Sequence, residues 1–314
     1  MASLIISDTH FGLDSSTLKN PKKVEQLMQE ILEYHGDCDE VILLGDIFDL
    51  WRVRPEAAMS DSISFLKTLS GMDIPVRYVV GNHDHHLVVQ KQDAELMERA
   101  ARGDFEPVYI PTLRWHRRFA GIDVDMLYPT YRARCRRKTF LFTHGHHLDG
   151  IQTFTLQMVE ALRRLSGIEP LPSDEEMMMT YAYESIYRSA CIGEVVSFEN
   201  SLWKASSLIL RLNPSLYSHQ QRSISVERQY GEIERFIRER ELGKIDCFIY
   251  GDTHRTGIYQ RRGGPLAVNT GCFIRDHDDT SHLETPDTYL LLDDGDLTIR
   301  QLGRKTPLYL CELL

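Results

Sequence analysis

Short apolar runs alternate with amphipathic stretches in the first half of the chain, and each run ends on a polar cluster. Residues 3–7 read as a buried strand that ends on Asp8. Residues 41–44 form a second, ending on Gly45 and Asp46, and 76–80 a third, ending on Gly81 and Asn82. Between the first two, Val24, Leu27, Met28, Ile31 and Leu32 recur at the spacing of one helix face over 21–35. A second helix is predicted over about 61–69, with Gly71 at its stop. This βαβαβ rhythm predicts a mainly parallel central sheet with right-handed crossovers.

After residue 107 the pattern changes to strands joined by short turns, at 113–119, 124–127 and 139–143, the last delivering His144. Residues 151 to about 228 read as almost wholly helical. Ser173 and Glu176 have the form of a capping box there, and Met177, Met178 and Met179 fall in the middle. A further helix is predicted over 231–241, then strands at 245–250, 257–260, 266–269, 289–292 and 297–302. Asp293, Asp294 and Gly295 supply the turn of the final hairpin.

Composition narrows the field. Hydrophobic residues at 42% and charged residues at 26% describe an ordinary globular protein. A net charge of -10 disfavours wrapping of nucleic acid, which needs surplus Lys and Arg. No apolar run reaches membrane-spanning length, and the N-terminus lacks the pattern of a signal peptide. Six scattered cysteines (Cys38, Cys135, Cys191, Cys247, Cys272, Cys311) fit reduced thiols, so a cytoplasmic location is expected.

The candidate chemistry lies in the clusters Asp8-Thr9-His10, Gly45-Asp46, Gly81-Asn82-His83-Asp84, Thr143-His144-Gly145-His146 and Gly251-Asp252-Thr253-His254, each directly after an apolar strand. Singly, each also reads as a turn or a helix cap. Together, at the carboxyl edge of one sheet, they converge on one pocket. Carboxylates packed so closely repel unless cations sit among them. Two divalent ions meet that need, and the mixed carboxylate, amide and imidazole donors suit Mn foremost, with Fe, Zn or Co as alternatives.

These clusters resemble the signature of the calcineurin-like metallophosphoesterases, D-x-H, G-D-x-x-D, G-N-H-D/E, H and G-H-x-H, over about residues 1–150 and 230–303. The resemblance implies an α/β fold of four αββα layers, two mixed β-sheets flanked by helices. Residues 1–150 and 229–314 would form that domain, and 151–228 a helical insertion serving as a lid or a dimerisation surface. It also implies Asp8, His10 and His254 on one metal, Asn82 and His144 on a second, and Asp46 bridging both. His83 would protonate the leaving oxygen, with Asp84 orienting its ring, and Asp49 would support a ligand. The signature has His where this chain has Asp252; as a ligand, Asp252 would lower the net charge of the core and favour harder ions such as Mn. The reaction implied is attack on phosphorus by a metal-bridging hydroxide.

Residues 45–51, Gly-Asp-Ile-Phe-Asp-Leu-Trp, are similar to a stretch of the UDP-2,3-diacylglucosamine pyrophosphatases, a branch whose helical insertion holds acyl chains. That branch has Arg at the position of His83 and Asp at that of His146. Arg132, Arg134 and Arg136 share one face if their segment is a strand; they would hold a diphosphate, or else guard a solvated edge. His146 is expected at the pocket mouth. The function expected is hydrolysis of a phosphodiester or pyrophosphate in a phosphorylated small molecule or lipid-linked substrate. The alternatives are a phosphomonoesterase, including a protein phosphatase, and a non-catalytic scaffold.

Overall fold

A computed structural model describes residues 2–34, 36, 38–104, 112–148, 179–185, 187–188, 225–275 and 285–312. Strand β1 (Ala2–Ile6) shows why the chain forms layers. Leu4 and Ile6 pack in a core with helices α1 (Pro21–Tyr34) and α2 (Pro55–Gly71), while Ile5 turns into a second core between two sheets. Strands β2 (Glu40–Leu44) and β3 (Val76–Val79) divide their side chains the same way, as period-two alternation requires. Strand β2 is buried on both faces and shows a nearly continuous apolar run, while in β3 Arg77 interrupts the run and pairs with Glu40.

Helix α3 (His86–Ala101) and strands β4 (Leu113–Phe119) and β5 (Ile122–Tyr128) complete that side of the molecule. The second sheet takes β6 (Thr130–Cys135), β7 (Lys138–Thr143), β8 (Cys247–Tyr250), β9 (Gly257–Gln260) and β10 (Leu266–Asn269). Helix α4 (Val226–Glu239) covers its outer face through Tyr230, Ile233 and Phe236, which meet Phe248 and Tyr250. The chain then returns to the first sheet as β11 (Thr288–Asp293), β12 (Asp296–Gln301) and β13 (Tyr309–Glu312).

The eight-stranded sheet runs β13-β12-β11-β1-β2-β3-β5-β4, and the five-stranded sheet runs β6-β7-β8-β10-β9. Pairing is parallel along β1-β2-β3-β5 and β7-β8-β10, and antiparallel elsewhere. The expected sandwich of two mixed sheets between helices is therefore present, and the mainly parallel sheet is confined to the centre of each. The polar ends of β1, β2 and β3 in one sheet and of β7 and β8 in the other lie along one edge.

Several elements differ from their sequence expectations. Helix α2 begins earlier, with Pro55 in its first turn, where a missing N–H costs nothing. Helix α3 was not expected: it buries only Leu87, Val88 and Val89 in its opening turn, so no long apolar stripe marks it. Strands β6 and β13 were hidden by charge and by exposure respectively. Ser173, Glu176, Met177 and Met178 lie outside the described residues.

Candidate metal centre

Backbone geometry sets the site before any side chain does. Asp8, His10, Asp46, Asp252 and His254 all have left-handed backbone, with φ between 44° and 68°. Each such non-glycine residue costs on the order of 1 kcal/mol, tolerable for Asp and His but systematic here in five of the seven expected ligands. The turns are pinned across strand ends: Asp8 N–H donates to the Gly45 carbonyl at 3.1 Å, and His10 N–H to that of Asp46 at 2.9 Å. Asp252 N–H donates across the sandwich to the Asp8 carboxylate at 3.1 Å. Glycines leave the room this requires. A Cβ on Gly81 would lie 2.6 Å from Asp46 N and 2.8 Å from His144 Cδ2, and closer still to Asp46 Oδ1.

The side chains meet in two adjoining groups. Asp8, His10 and His254 place one donor atom each within 4.8 Å of one another, as do Asp8, Asp46 and His144. His254 Nε2 is 3.5 Å from Asp8 Oδ1 and 3.1 Å from His10 Nε2. His144 Nε2 is 3.2 Å from Asp46 Oδ2 and 3.6 Å from Asp252 Oδ1. Asp46 Oδ2 is also 3.7 Å from His10 Nε2, so this one carboxylate oxygen faces both groups.

Donor chemistry shows that metal ions fit here. His144 Nδ1 donates to the Leu44 carbonyl at 2.9 Å, which directs Nε2 into the cluster. His10 Nδ1 is likewise held by Asp49 Oδ2 at 3.1 Å. Asn82 Oδ1 and His144 Nε2 are buried and make no hydrogen bond, an unusual pairing of orphans in a native interior. Two imidazole nitrogens 3.1 Å apart also need a proton or a cation between them.

Burial pulls the His144 pKa down, but the charges of Asp46, Asp8 and Asp252 outweigh it and leave it well above the ordinary value. Burial opposes ionisation of Asp46 too, yet the rings of His144, His83 and His10 hold its pKa below the usual range. For His10 burial wins, and its pKa is lowered. A neutral imidazole is the form that binds metal.

His83 sits at the edge of this cluster, with Nε2 3.9 Å from Asp46 Oδ2. The expectation that Asp84 orients its ring is corrected. Asp84 is engaged by Gly81 N–H at 2.6 Å, Ile47 N–H at 3.0 Å and the Tyr78 hydroxyl, and the partner of His83 Nδ1 is Asp49 Oδ2 at 3.1 Å. Burial and the Asp46 charge raise the Asp84 pKa to about 7. Asp49, fully buried, thus serves His10 and His83 through one oxygen and accepts the N–H groups of Trp51 and Arg52 on the other, at 3.2 and 2.9 Å. His10, Asp49 and His83 also group closely, but both Nδ1 atoms are committed to Asp49, which is a hydrogen-bonded arrangement.

Of the expected substrate residues, the three arginines are not gathered with the cluster. Arg132 donates to the carbonyls of Leu242 and Lys244, on the outer face of the second sheet. Arg136 pairs with Asp294, and Arg134, opposite Thr139, lies toward the hairpin end of β6, away from His144. His146 is fully buried, its ring 5.7 Å from that of His144 and 3.9 Å from that of His147. Trp51 was not foreseen: its ring stacks on His83 with centroids 4.0 Å apart and planes at 24°.

The sequence profile described as calcineurin-like phosphoesterase matches residues 1–256. No curated protein matches the chain. Among solved structures, the chain is similar to YfcE, a phosphoesterase from E. coli, at 14% identity and a TM-score of 0.43, with 100% of each chain covered. It is similar to a dimetal phosphatase from Danio rerio at 13% identity and a TM-score of 0.45, with 98% of each chain covered. A third is Vps29 from Chaetomium thermophilum, at 12% identity and a TM-score of 0.35, covering 95% of this chain and 83% of that one. With its profile match spanning most of the length and candidate ligand groups assembled at one edge, the chain belongs to the calcineurin-like phosphoesterase family, whose members are metal-dependent hydrolases.

Proposed function

We propose that the protein hydrolyses a phosphodiester or pyrophosphate bond with two divalent ions, Mn foremost. Asp8, His10 and His254 would hold one ion, Asn82, His144 and Asp252 the other, and Asp46 both. When bound, the ions supply Lewis acidity to water and to phosphate oxygens. The protein supplies the rest. Left-handed turns aim the carboxylates inward, Leu44 and Asp49 fix the candidate ligand rings, and His83, at the edge of the cluster, would protonate the leaving oxygen.

The observation that carries the preference for diesters is Asp252, whose carboxylate reaches to 3.6 Å from His144 Nε2. Three carboxylates against two divalent ions leave one net positive charge, where the family's histidine would leave two. Lowering the charge from two to one weakens the attraction for a dianionic monoester about twice as much as for a monoanionic diester, which shifts the relative preference toward the diester. Residues 151–228 are read as an insertion, of which 179–185, 187–188 and 225–228 are described. The described stretch 179–185 supports a lid, because Thr180 meets His85 at 3.1 Å and Tyr183 packs on Trp51. A lid suits a small or lipid-linked substrate better than a folded protein. Among the described residues no helix is long and apolar enough to cross a membrane. The free thiols of Cys135, Cys247 and Cys311 support a reduced compartment.

The test compares kcat/KM for bis-p-nitrophenyl phosphate and p-nitrophenyl phosphate in Mn-loaded wild type and Asp252→His. Preference for the diester, shifted toward the monoester by the substitution, is expected. A wild type that prefers the monoester would overturn the charge argument.

A further inference from the structure

Resting on the reading of His83 as the leaving-group donor, we propose that Trp51 is a positioning residue for His83 and that Tyr183, from the segment between β7 and α4, is the backing that holds Trp51 in place. His83 is restrained on two sides. Asp49 Oδ2 fixes Nδ1 at 3.1 Å, which sets one point on the ring but leaves rotation about that hydrogen bond. The indole of Trp51 lies nearly parallel to the imidazole at 4.0 Å and blocks that rotation, while His10 meets the ring edge-on at 4.7 Å. Together these contacts leave Nε2 facing Asp46 Oδ2 at 3.9 Å.

Trp51 is only half-buried and follows Asp49 by two residues, so its own loop gives it little support. Its support comes from Tyr183, with ring centroids 5.5 Å apart and Tyr183 1% exposed. Tyr183 is in turn seated by its neighbours. Its ring lies 5.1 Å from that of His85, Thr180 Oγ1 is 3.1 Å from His85 Nε2, and Glu184 pairs with His86 Nδ1 at 2.8 Å. The stack Tyr183, Trp51, His83 is thus a continuous path from this segment to the group beside the leaving oxygen. Small misplacements of a proton donor are costly because the transfer demands alignment.

A purely structural role and a positioning role predict different kinetics. Loss of a proton donor matters most when the leaving oxygen is basic, so the readout is sensitivity to the leaving group. Methyl p-nitrophenyl phosphate and methyl phenyl phosphate differ only in that respect. In Mn-loaded protein, His83→Ala should lose far more activity on the phenyl ester. Trp51→Leu should lose about tenfold more on the phenyl ester than on the nitrophenyl ester, and Trp51→Phe, which keeps a stacking ring, should stay within about twofold of wild type. Tyr183→Leu should fall between them with full metal content; it carries the test if Trp51→Leu does not fold. An equal loss on both esters in Trp51→Leu and Tyr183→Leu, with His83→Ala still discriminating, would overturn the positioning role alone. Absence of discrimination in His83→Ala would overturn the donor reading and this inference with it.

Discussion

Replacing Gly81 by alanine adds one methyl group at the point where two ligands lie closest to the backbone. The new Cβ would stand 2.6 Å from Asp46 N and 2.8 Å from His144 Cδ2, where ordinary contact begins at 3.4 Å. The Asp46 backbone would therefore have to withdraw by about 0.8 Å. Metal–ligand distances tolerate roughly 0.2 Å, so a bridging carboxylate displaced that far cannot serve both groups. Overpacking itself costs about 1–3 kcal/mol, and disturbed ligand placement typically lowers metal affinity by about 10- to 100-fold. The assay is Mn titration by calorimetry, with metal content by mass spectrometry after dialysis. Gly231→Ala is the control: a Cβ there meets nothing within 4 Å, and alanine in helix α4 should stabilise by about 0.5–1 kcal/mol. A Gly81→Ala protein that retains two metals with unchanged affinity would refute the steric argument.

Three further outcomes are expected. In EDTA, Tm should fall as pH rises from about 6 to 8. Protonated His144, with its pKa raised above 6.5, stabilises fully below that value and loses the effect above it. Charging of Asp84, raised from 3.8 to about 7, opposes folding over the same direction of change. Mn should flatten this slope, and a Tm in EDTA that increased with pH would contradict the account. Asp252→His should shift selectivity from Mn toward Zn by about tenfold in competitive loading read by mass spectrometry, since imidazole is the softer donor. Arg132→Ala and Arg136→Ala should leave KM within about twofold, because both side chains are engaged away from the cluster.

The candidate ligand set was legible because each of its residues follows a buried strand, and apolar runs ending on Asp, His or Asn are visible without a structure. Its supports were not. Asp84 follows His83 in sequence, which makes it the natural candidate to orient that ring, yet consecutive side chains at a turn diverge, and Asp49 from the preceding crossover reaches it instead. Arg132 and Arg134 do sit on a strand, β6, with Arg136 in the turn beyond it, but Ala133 and Cys135 turn into the inter-sheet core, so the two strand arginines face outward, far from the carboxyl edge. Helix α3 left little trace because one buried turn is enough to anchor it. Left-handed backbone at five ligands leaves no sequence mark either, since Asp and His are ordinary in loops.

The ligands divide evenly enough between the two sheets to matter mechanically. Of the residues proposed as ligands, Asp8, His10, Asp46 and Asn82 ride on the larger sheet, while His144, Asp252 and His254 ride on the smaller. Bound ions would therefore act as rivets at one end of the sandwich, and sliding of either sheet against the other would pull the donors out of register. The core between the sheets, from Ile5 and Ile42 to Phe142 and Ile249, becomes a spacer whose thickness sets the gap that the ions must bridge. A methyl group added deep in that layer, remote from every ligand, would be felt as a change in metal grip, so selection on catalysis also polices the packing of residues that never meet substrate.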